Sequence, residues 1–512
     1  MSAYTEYGYR RRAFAALALC MAYALLLLLF LSTDSYLADT YMHGDSAWFF
    51  TCGKAWMSGM TPYVDFTDSK GPLLWLIFGA GYLLSHHSFA GVFWISAVLF
   101  AAAFAIAYKT ARLYLPRPAA ALAVAVTAFF IFFKRYNYEI LAESYCLPAI
   151  FACLYVVCRI LAFHERPRAR WSFLAMAVTG AAVGCCALIK WNVALMTLSL
   201  AAIALWLSVR RGRAVPAAAG LVAGFAAVTL PMALYFVAKG NFTDFINEYF
   251  FLTSSLTLRR GGLSLGRLAH SFLTEWPIFL LMLAGAVIFG WRHKTGMWMA
   301  AALCFFKLCC GYGYIPYRYI VALTPFALFL SIAAAGAAAR VLSERRLVVP
   351  ICLVAVTAAT ILVNRSIKVN GQVSETPELR EDFYNAAYVM SQVECPRFVS
   401  LTGDLPVGVP VGALPACKYY AQQTRATDDM RNSTLQAIRS GVPDFIYTYN
   451  HSHVDFPADS LESHGYVFYC YIEYRWCDDT LKLYGRPGLR LPPDGFKVTD
   501  WDIWLKRNIF NI

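Results

Sequence analysis

The sequence predicts a polytopic all-α membrane protein of about eleven transmembrane helices, followed by a C-terminal extracytoplasmic domain of α/β or α+β type. Three observations carry that expectation. The 512-residue chain is 59% hydrophobic and only 15% charged. Its apolar residues gather in repeated runs of about 17 to 22, the length that crosses roughly 30 Å of hydrocarbon as a helix. From residue 364 onward the runs give way to polar sequence with Pro and Gly turns and short strand-like stretches.

The first run, 13–31, follows Arg10, Arg11 and Arg12 and ends at polar Ser32, Thr33 and Asp34. A cleaved signal has a shorter apolar core that ends at small residues, so this run reads as an uncleaved first span. Further spans fit near 90–111, 118–134, 145–163, 171–189, 193–209, 214–237, 276–291, 295–313, 319–338 and 347–363. Basic clusters recur at Lys109/Arg112/Arg117, Arg166/Arg168/Arg170, Arg210/Arg211/Arg213, Arg292/Lys294 and Arg340/Arg345/Arg346, and they alternate with loops of mixed or acidic character. The positive-inside rule then puts the N-terminus in the cytoplasm of a multi-pass inner (plasma) membrane protein. An odd number of spans leaves the C-terminal domain periplasmic or extracellular. The membrane domain covers 1–363 and the outer domain 364–512.

Two outer loops are long, 33–89 and 238–275. Within the first, residues 73–84 are apolar but too short to span, and an interfacial helix is expected there. The second is rich in Phe, Tyr, Leu and Arg, as in segments that dip into the headgroup region. In the tail, strands are expected over 397–401 and 444–449 and helices near 376–393 and 427–440.

The net charge of +13 could point to nucleic acid, but the basic residues lie in short loops between spans. That is topology information, not a phosphate-reading face, and no nucleic-acid partner is expected. Most of the fifteen cysteines sit inside apolar runs as small hydrophobes. Cys395, Cys417, Cys470 and Cys477 lie in the tail, where an oxidising compartment favours disulfides of unassigned pairing. No zinc-like Cys and His spacing occurs.

The chemistry gathers in the first outer loop, Gly44 to Pro72, which holds Asp45, Asp65, Asp68, Lys54 and Lys70. Asp45 stands shortly beyond the first span, where a carboxylate can deprotonate an acceptor hydroxyl. The bland alternative is a solvated acid or a cap for a helix starting at Ser46. In ThrProTyrValAspPheThrAspSerLysGlyPro, 61–72, Pro62, Gly71 and Pro72 shape the backbone, so that Asp65, Asp68 and Lys70 can converge. The lysine suits a lipid-linked phosphate, and the acids suit a sugar hydroxyl or a divalent metal. The alternative is a weak surface ion pair between Asp68 and Lys70. Glu139 and Glu143, four residues apart near the outer end of the third and fourth spans, are costly at a membrane boundary unless paired, with Arg135 the obvious partner, or facing a cavity. Lys190, at the outer end of the fifth span against the positive-inside trend, suits a phosphate or snorkels to the interface. Arg259, Arg260 and Arg318 are lower-grade candidates for the same work. His86 and His87 are adjacent and diverge on a helix, so they do not form a metal site.

These motifs together, GlyAspSer at 44–46, ThrProTyrValAsp at 61–65, AspSerLysGlyProLeuLeuTrp at 68–75, GluSerTyrCysLeuPro at 143–148 and Lys190-Trp191-Asn192, resemble the polyprenyl-phosphate-sugar-dependent glycosyltransferases of the GT-C superfamily. The nearest types are bacterial protein-mannosyltransferases and aminoarabinose transferases. The resemblance covers about 1–365 as architecture, with its distinctive motifs within 44–192. It implies Asp45 as catalytic base, Lys70, Lys190 and an outer arginine on the donor phosphate, and Glu139 or Glu143 on acceptor or sugar. The partners it implies are a polyprenyl-phosphate-linked sugar, membrane lipids, and a glycan, lipid or protein acceptor. The loop departs from an AspXaaAsp metal motif, so no cofactor is expected and a divalent metal is disfavoured. A transporter or flippase is the main rival class, but transporters place ionisable groups at the membrane midplane, whereas here they gather at one face. A lipid-linked glycan ligase or polymerase is the rival enzyme.

Overall fold

The computed structural model describes residues 3–32, 34–35, 44–133, 140–163, 167–252, 254–255, 266, 269, 276–293, 296–311, 320–341, 348–368, 377–401, 406–421, 427–449, 458–473 and 480–492. Among the described residues, six helical stretches have the length and apolarity of a span: Phe14–Leu31, Ala90–Ala111, Ala169–Ile189, Trp191–Arg210, Ala214–Ala238 and Ile320–Arg340. Five shorter apolar helices fall where the remaining spans are expected, Arg117–Phe132, Leu147–Ala162, Trp276–Trp291, Trp298–Leu308 and Val348–Asn364. The protein is therefore a mostly helical, multi-pass membrane protein with a small C-terminal sheet.

The first helix, α1 (Ala3–Leu31), packs on α4 (Ala90–Ala111). Between them lie α2 (Gly44–Met57) and α3 (Pro72–Leu84), which pack on each other, with α3 also against α4 and α8. Next come α5 (Arg117–Phe132), the single turn α6 (Ala142–Tyr145), α7 (Leu147–Ala162), α8 (Ala169–Ile189), α9 (Trp191–Arg210) and α10 (Ala214–Ala238). Helices α8 and α10 approach closely because small residues face each other. A side chain at Gly220 would meet the Phe173 carbonyl, one at Gly224 the Ala177 carbonyl, and one at Gly180 the Leu221 carbonyl. This is how helices associate where lipid removes the hydrophobic drive between them. The outer side of α10 leaves Val215, Val222, Leu230, Leu234 and Val237 exposed, an apolar face for acyl chains.

Helix α10 leads into a short segment, α11 (Phe242–Phe245) and a π-helical turn, Ile246–Leu252. The later membrane helices are α12 (Trp276–His293), α13 (Gly296–Gly311), α14 (Ile320–Leu323) running through a 3-10 turn into α15 (Ala327–Val341), and α16 (Val348–Lys368).

The C-terminal domain begins with α17 (Pro377–Ser391) and builds one five-stranded sheet. Its strands are β1 (Arg397–Ser400), β2 (Leu414–Pro415), β3 (Phe445–Tyr449), β4 (Val467–Glu473) and β5 (Thr480–Gly485), in the order β2-β1-β3-β5-β4. β1 runs parallel to β2 and β3, while β5 pairs antiparallel with β3 and β4. Both faces of the central strands are buried, as parallel pairing requires. Phe398, Phe445 and Tyr447 join the main core with Ala387 and Met390 of α17. Val399 and Ile446 pack with Ile438 and Leu461, from α18 (Asp428–Arg439) and α19 (Ala458–Ser463). Thr427 caps α18, its hydroxyl accepting from Met430 N–H at 3.3 Å. The disulfide expectation is not met among the described residues: Cys395, Cys417 and Cys470 are all free thiols, and Cys477 lies outside them. They stand before β1, after β2 and within β4, on separate parts of the sheet.

Candidate active site

Asp45 lies in the first turn of α2, half-buried, where the helix dipole favours a carboxylate. It is inside the helix, not a cap before it. Phe49 and Cys52 follow at four and seven residues and so share its face. That face turns toward the motif loop: the Lys70 ammonium lies 5.2 Å from the Phe49 ring centre, a cation–π contact. Asp45 is thus on the side of α2 that looks at Lys70.

The motif loop folds back on itself. Tyr63 adopts a left-handed backbone with φ 66°, its N–H donating to the Phe66 carbonyl at 2.7 Å. Asp65 is exposed and accepts from the Thr61 N–H at 2.6 Å, closing its own turn. Asp68 is buried and receives the Ser69 N–H and hydroxyl. The Lys70 ammonium stands 3.9 Å from the Asp68 carboxylate, with only 12% and 1% of the two side chains accessible. The pair that surface chemistry would make weak is an enclosed one here.

The second pair is Lys190 with Glu143, a direct ion pair with 14% and 2% of the side chains accessible. Lys190 sits at the break between α8 and α9, its backbone extended, and Glu143 in the single turn α6. One backbone bond joins the two pairs: the Gly71 N–H donates to the Ile189 carbonyl at 2.9 Å. Gly71 directly follows Lys70 and Ile189 directly precedes Lys190. The approach is so close that a side chain at residue 71 would run into the Leu188 carbonyl and the Tyr249 hydroxyl. Two partly accessible ammonium groups, each steadied by a buried carboxylate, therefore belong to backbone segments that meet at the C-terminal end of α8.

Three tyrosines and a cysteine feel the Asp68 charge. Burial first, with the Asp68 charge among the further causes, pushes the Tyr63, Tyr249 and Tyr420 hydroxyls and the Cys52 thiol well above their ordinary values. They remain protonated donors. Glu139, Arg259, Arg260 and Arg318 lie outside the described residues. Among the described residues no three His, Cys, Asp or Glu side chains gather to hold a metal ion. His87 uses Nδ1 on the Pro410 carbonyl at 3.0 Å, a contact with the C-terminal domain.

Sequence reasoning overlooked four residues beside the site. Glu248, in the π-helical turn, pairs with Lys418 at 2.7 Å and accepts from the Tyr419 hydroxyl at 2.8 Å. The Tyr420 hydroxyl lies 3.4 Å from the Cys52 thiol. The only signal was LysTyrTyr, 418–420, in a polar tail, and nothing local to it shows where it docks.

A bundle of apolar helices carries a loop of acids and lysines, and a small C-terminal domain with a five-stranded sheet rests on that loop. Residues 69–236 match a family model described as dolichyl-phosphate-mannose-protein mannosyltransferase. Among solved structures, ArnT from Cupriavidus metallidurans bound to undecaprenyl phosphate superposes with a TM-score of 0.60 at 14% identity, covering 93% of this chain and 98% of that one. Its apo state gives 0.54 at 13% identity, covering 94% and 98%. The oligosaccharyltransferase AglB from Archaeoglobus fulgidus gives 0.49 at 13% identity, covering 97% and 76%. No curated protein matches the chain in a sequence search. The family model matches residues 69–236 alone, and the fold over nearly the whole chain is shared with ArnT.

Proposed function

We propose that the protein transfers a sugar from a polyprenyl-phosphate donor to a hydroxyl acceptor at the outer face of the inner membrane, with inversion at the anomeric carbon. The observation that supports this most directly is the Gly71–Ile189 backbone bond, which joins the segment carrying the Lys70–Asp68 pair to the one carrying the Lys190–Glu143 pair. A polyprenyl phosphate already leaves well, so no strong general acid is needed. What lowers the barrier is positive charge on the departing phosphate and a base on the attacking hydroxyl.

In this reading Lys70 and Lys190 receive the phosphate oxygens. The acceptor oxygen bonds to the anomeric carbon as the bond from that carbon to the phosphate oxygen breaks. The electron pair leaves with the phosphate, and the hydroxyl proton passes to Asp45. Glu143 holds Lys190 extended toward the phosphate; Asp65, which is exposed, and Glu139, which lies outside the described residues, are assigned to sugar or acceptor hydroxyls. Arg259 and Arg318 are further phosphate contacts. The lysines supply the charge that a divalent ion would otherwise bring, so the transfer proceeds without a metal. The acceptor is a glycan, a lipid or a protein.

The test is sugar transfer in membranes carrying wild type or Asp45→Asn, with a mixed pool of labelled polyprenyl-phosphate sugars. A normally inserted Asp45→Asn protein should lose activity by roughly a hundredfold or more, the usual weight of a general base. Equal transfer by both would remove Asp45 from the mechanism.

A further inference from the structure

The C-terminal domain reaches the site through one short segment, Lys418, Tyr419 and Tyr420. Its own domain holds this segment from behind. The Ser400 N–H donates to the Tyr420 carbonyl at 2.6 Å, and the Thr434 hydroxyl donates to the Tyr419 carbonyl at 2.8 Å. In front it touches three separate parts of the site. The Lys418 carbonyl accepts from the Thr67 N–H at 3.0 Å, one residue before Asp68. Tyr420 sets its hydroxyl on Cys52 and its ring edge-on to the Trp48 ring, the ring centres 6.1 Å apart, both partners on α2. The Lys418 ammonium and the Tyr419 hydroxyl converge on one oxygen of Glu248. The next residue, Tyr249, donates its hydroxyl to the Ala187 carbonyl at 2.7 Å, near the end of α8 that carries Lys190.

We propose that Lys418, Tyr419 and Tyr420 form a positioning strap, which clamps the motif loop between α2 and the outer end of α8 and so sets the spacing of Lys70 and Lys190 on a lipid-linked phosphate. The proposal rests on the donor reading above. None of the three residues is assigned a contact with the reacting atoms; each acts through Asp68, Cys52 or Glu248. The geometry supports a clamp because its front contacts fall on three elements far apart in sequence, while its backbone is tied to a sheet and a capped helix that hold it still. Lys418 and Glu248 are mostly enclosed, so losing either charge leaves the other poorly solvated and frees the π-helical turn.

The test uses the full chain in lipid nanodiscs, titrated with undecaprenyl phosphate. Lys418→Met and Glu248→Gln should each weaken binding about tenfold, the usual size of coupling between contacting groups. The doubly exchanged Glu248→Lys/Lys418→Glu protein should recover most of the loss. Tyr420→Phe keeps the ring, removes one hydroxyl and should weaken binding several-fold, and it carries the test if the charge variants fold poorly. In a Lys70→Met background the strap substitutions should weaken binding no further, because the strap works through that lysine. A merely structural role would add its loss to that of Lys70→Met, and such additivity would overturn the proposal. Wild-type binding matched by all the strap variants would overturn it alone, leaving the donor reading intact. A wild type that does not bind undecaprenyl phosphate would overturn both.

Discussion

Lys54 lies nine residues from Asp45 on α2, half a turn round, and so faces away from the motif loop. Its ammonium sits 5.8 Å from the Tyr82 ring centre with the side chain only 6% exposed, and it points at Gly412, whose left-handed backbone (φ 69°) leaves room for it. Among the described residues no carboxylate pairs with it. Burial holds its pKa down at about 8, against an ordinary 10.5. The folded protein therefore binds this proton more weakly than the unfolded chain does, and stability rises with pH from about 8 to 10.5. Below that window the buried charge costs roughly 3 kcal/mol. Lys54→Met should raise the thermal midpoint at neutral pH, with the gain shrinking to nothing at the alkaline end. A gain that stays constant across the window would mean that burial of charge is not its cause. The contrast with Lys70 and Lys190 is chemical: those two have carboxylates to steady them and openings toward solvent, while Lys54 has an aromatic ring and a neighbouring domain.

At the scale of elements, the site depends on where α8 stops and the motif loop turns. Lys190 breaks α8 from α9, and Gly71 meets that break because it has no side chain. Gly71→Ala places a methyl group against the Leu188 carbonyl, so the loop must lift and carry Lys70 away from the backbone segment of Lys190. Transfer should fall by about tenfold or more, since displacements near 1 Å already carry penalties of that order. Membrane insertion should be unaffected, because no span changes. Transfer at the wild-type rate would show that the pairing of the two lysines is not required. Helix limits, the strand at 397–400 and the helix at 428–439 were readable from periodicity, caps and turns. The π-helical turn at 246–252 was not, because nothing in an aromatic-rich stretch marks a widened turn before its packing partners are known.

At the scale of the whole molecule, the C-terminal domain meets the motif loop at Thr67, next to Asp68, and the proposed transfer puts the phosphate charge on Lys70 and Lys190. If lysines alone neutralise that charge, chelation with EDTA should leave the transfer rate unchanged. A loss restored by added magnesium or manganese would assign part of the neutralisation to a metal. The ArnT structure shares the fold across 93% of this chain and 98% of that one.

The sequence by itself determined the membrane class, the places of the apolar helices, the change of character after residue 364 and the acid–lysine content of the first loop. Each of these is a sum over neighbouring residues, and hydropathy or composition reads such sums directly. Asp68 and Lys70 were legible as a pair because they are two residues apart. Only the tertiary structure decided that Glu143 belongs to Lys190, that Asp65 closes its own turn, and that Lys418–Tyr420 lies on Thr67, Cys52 and Glu248. Those contacts join residues tens to hundreds of positions apart, and their energies depend on distance and burial in three dimensions. No local pattern in the chain encodes them.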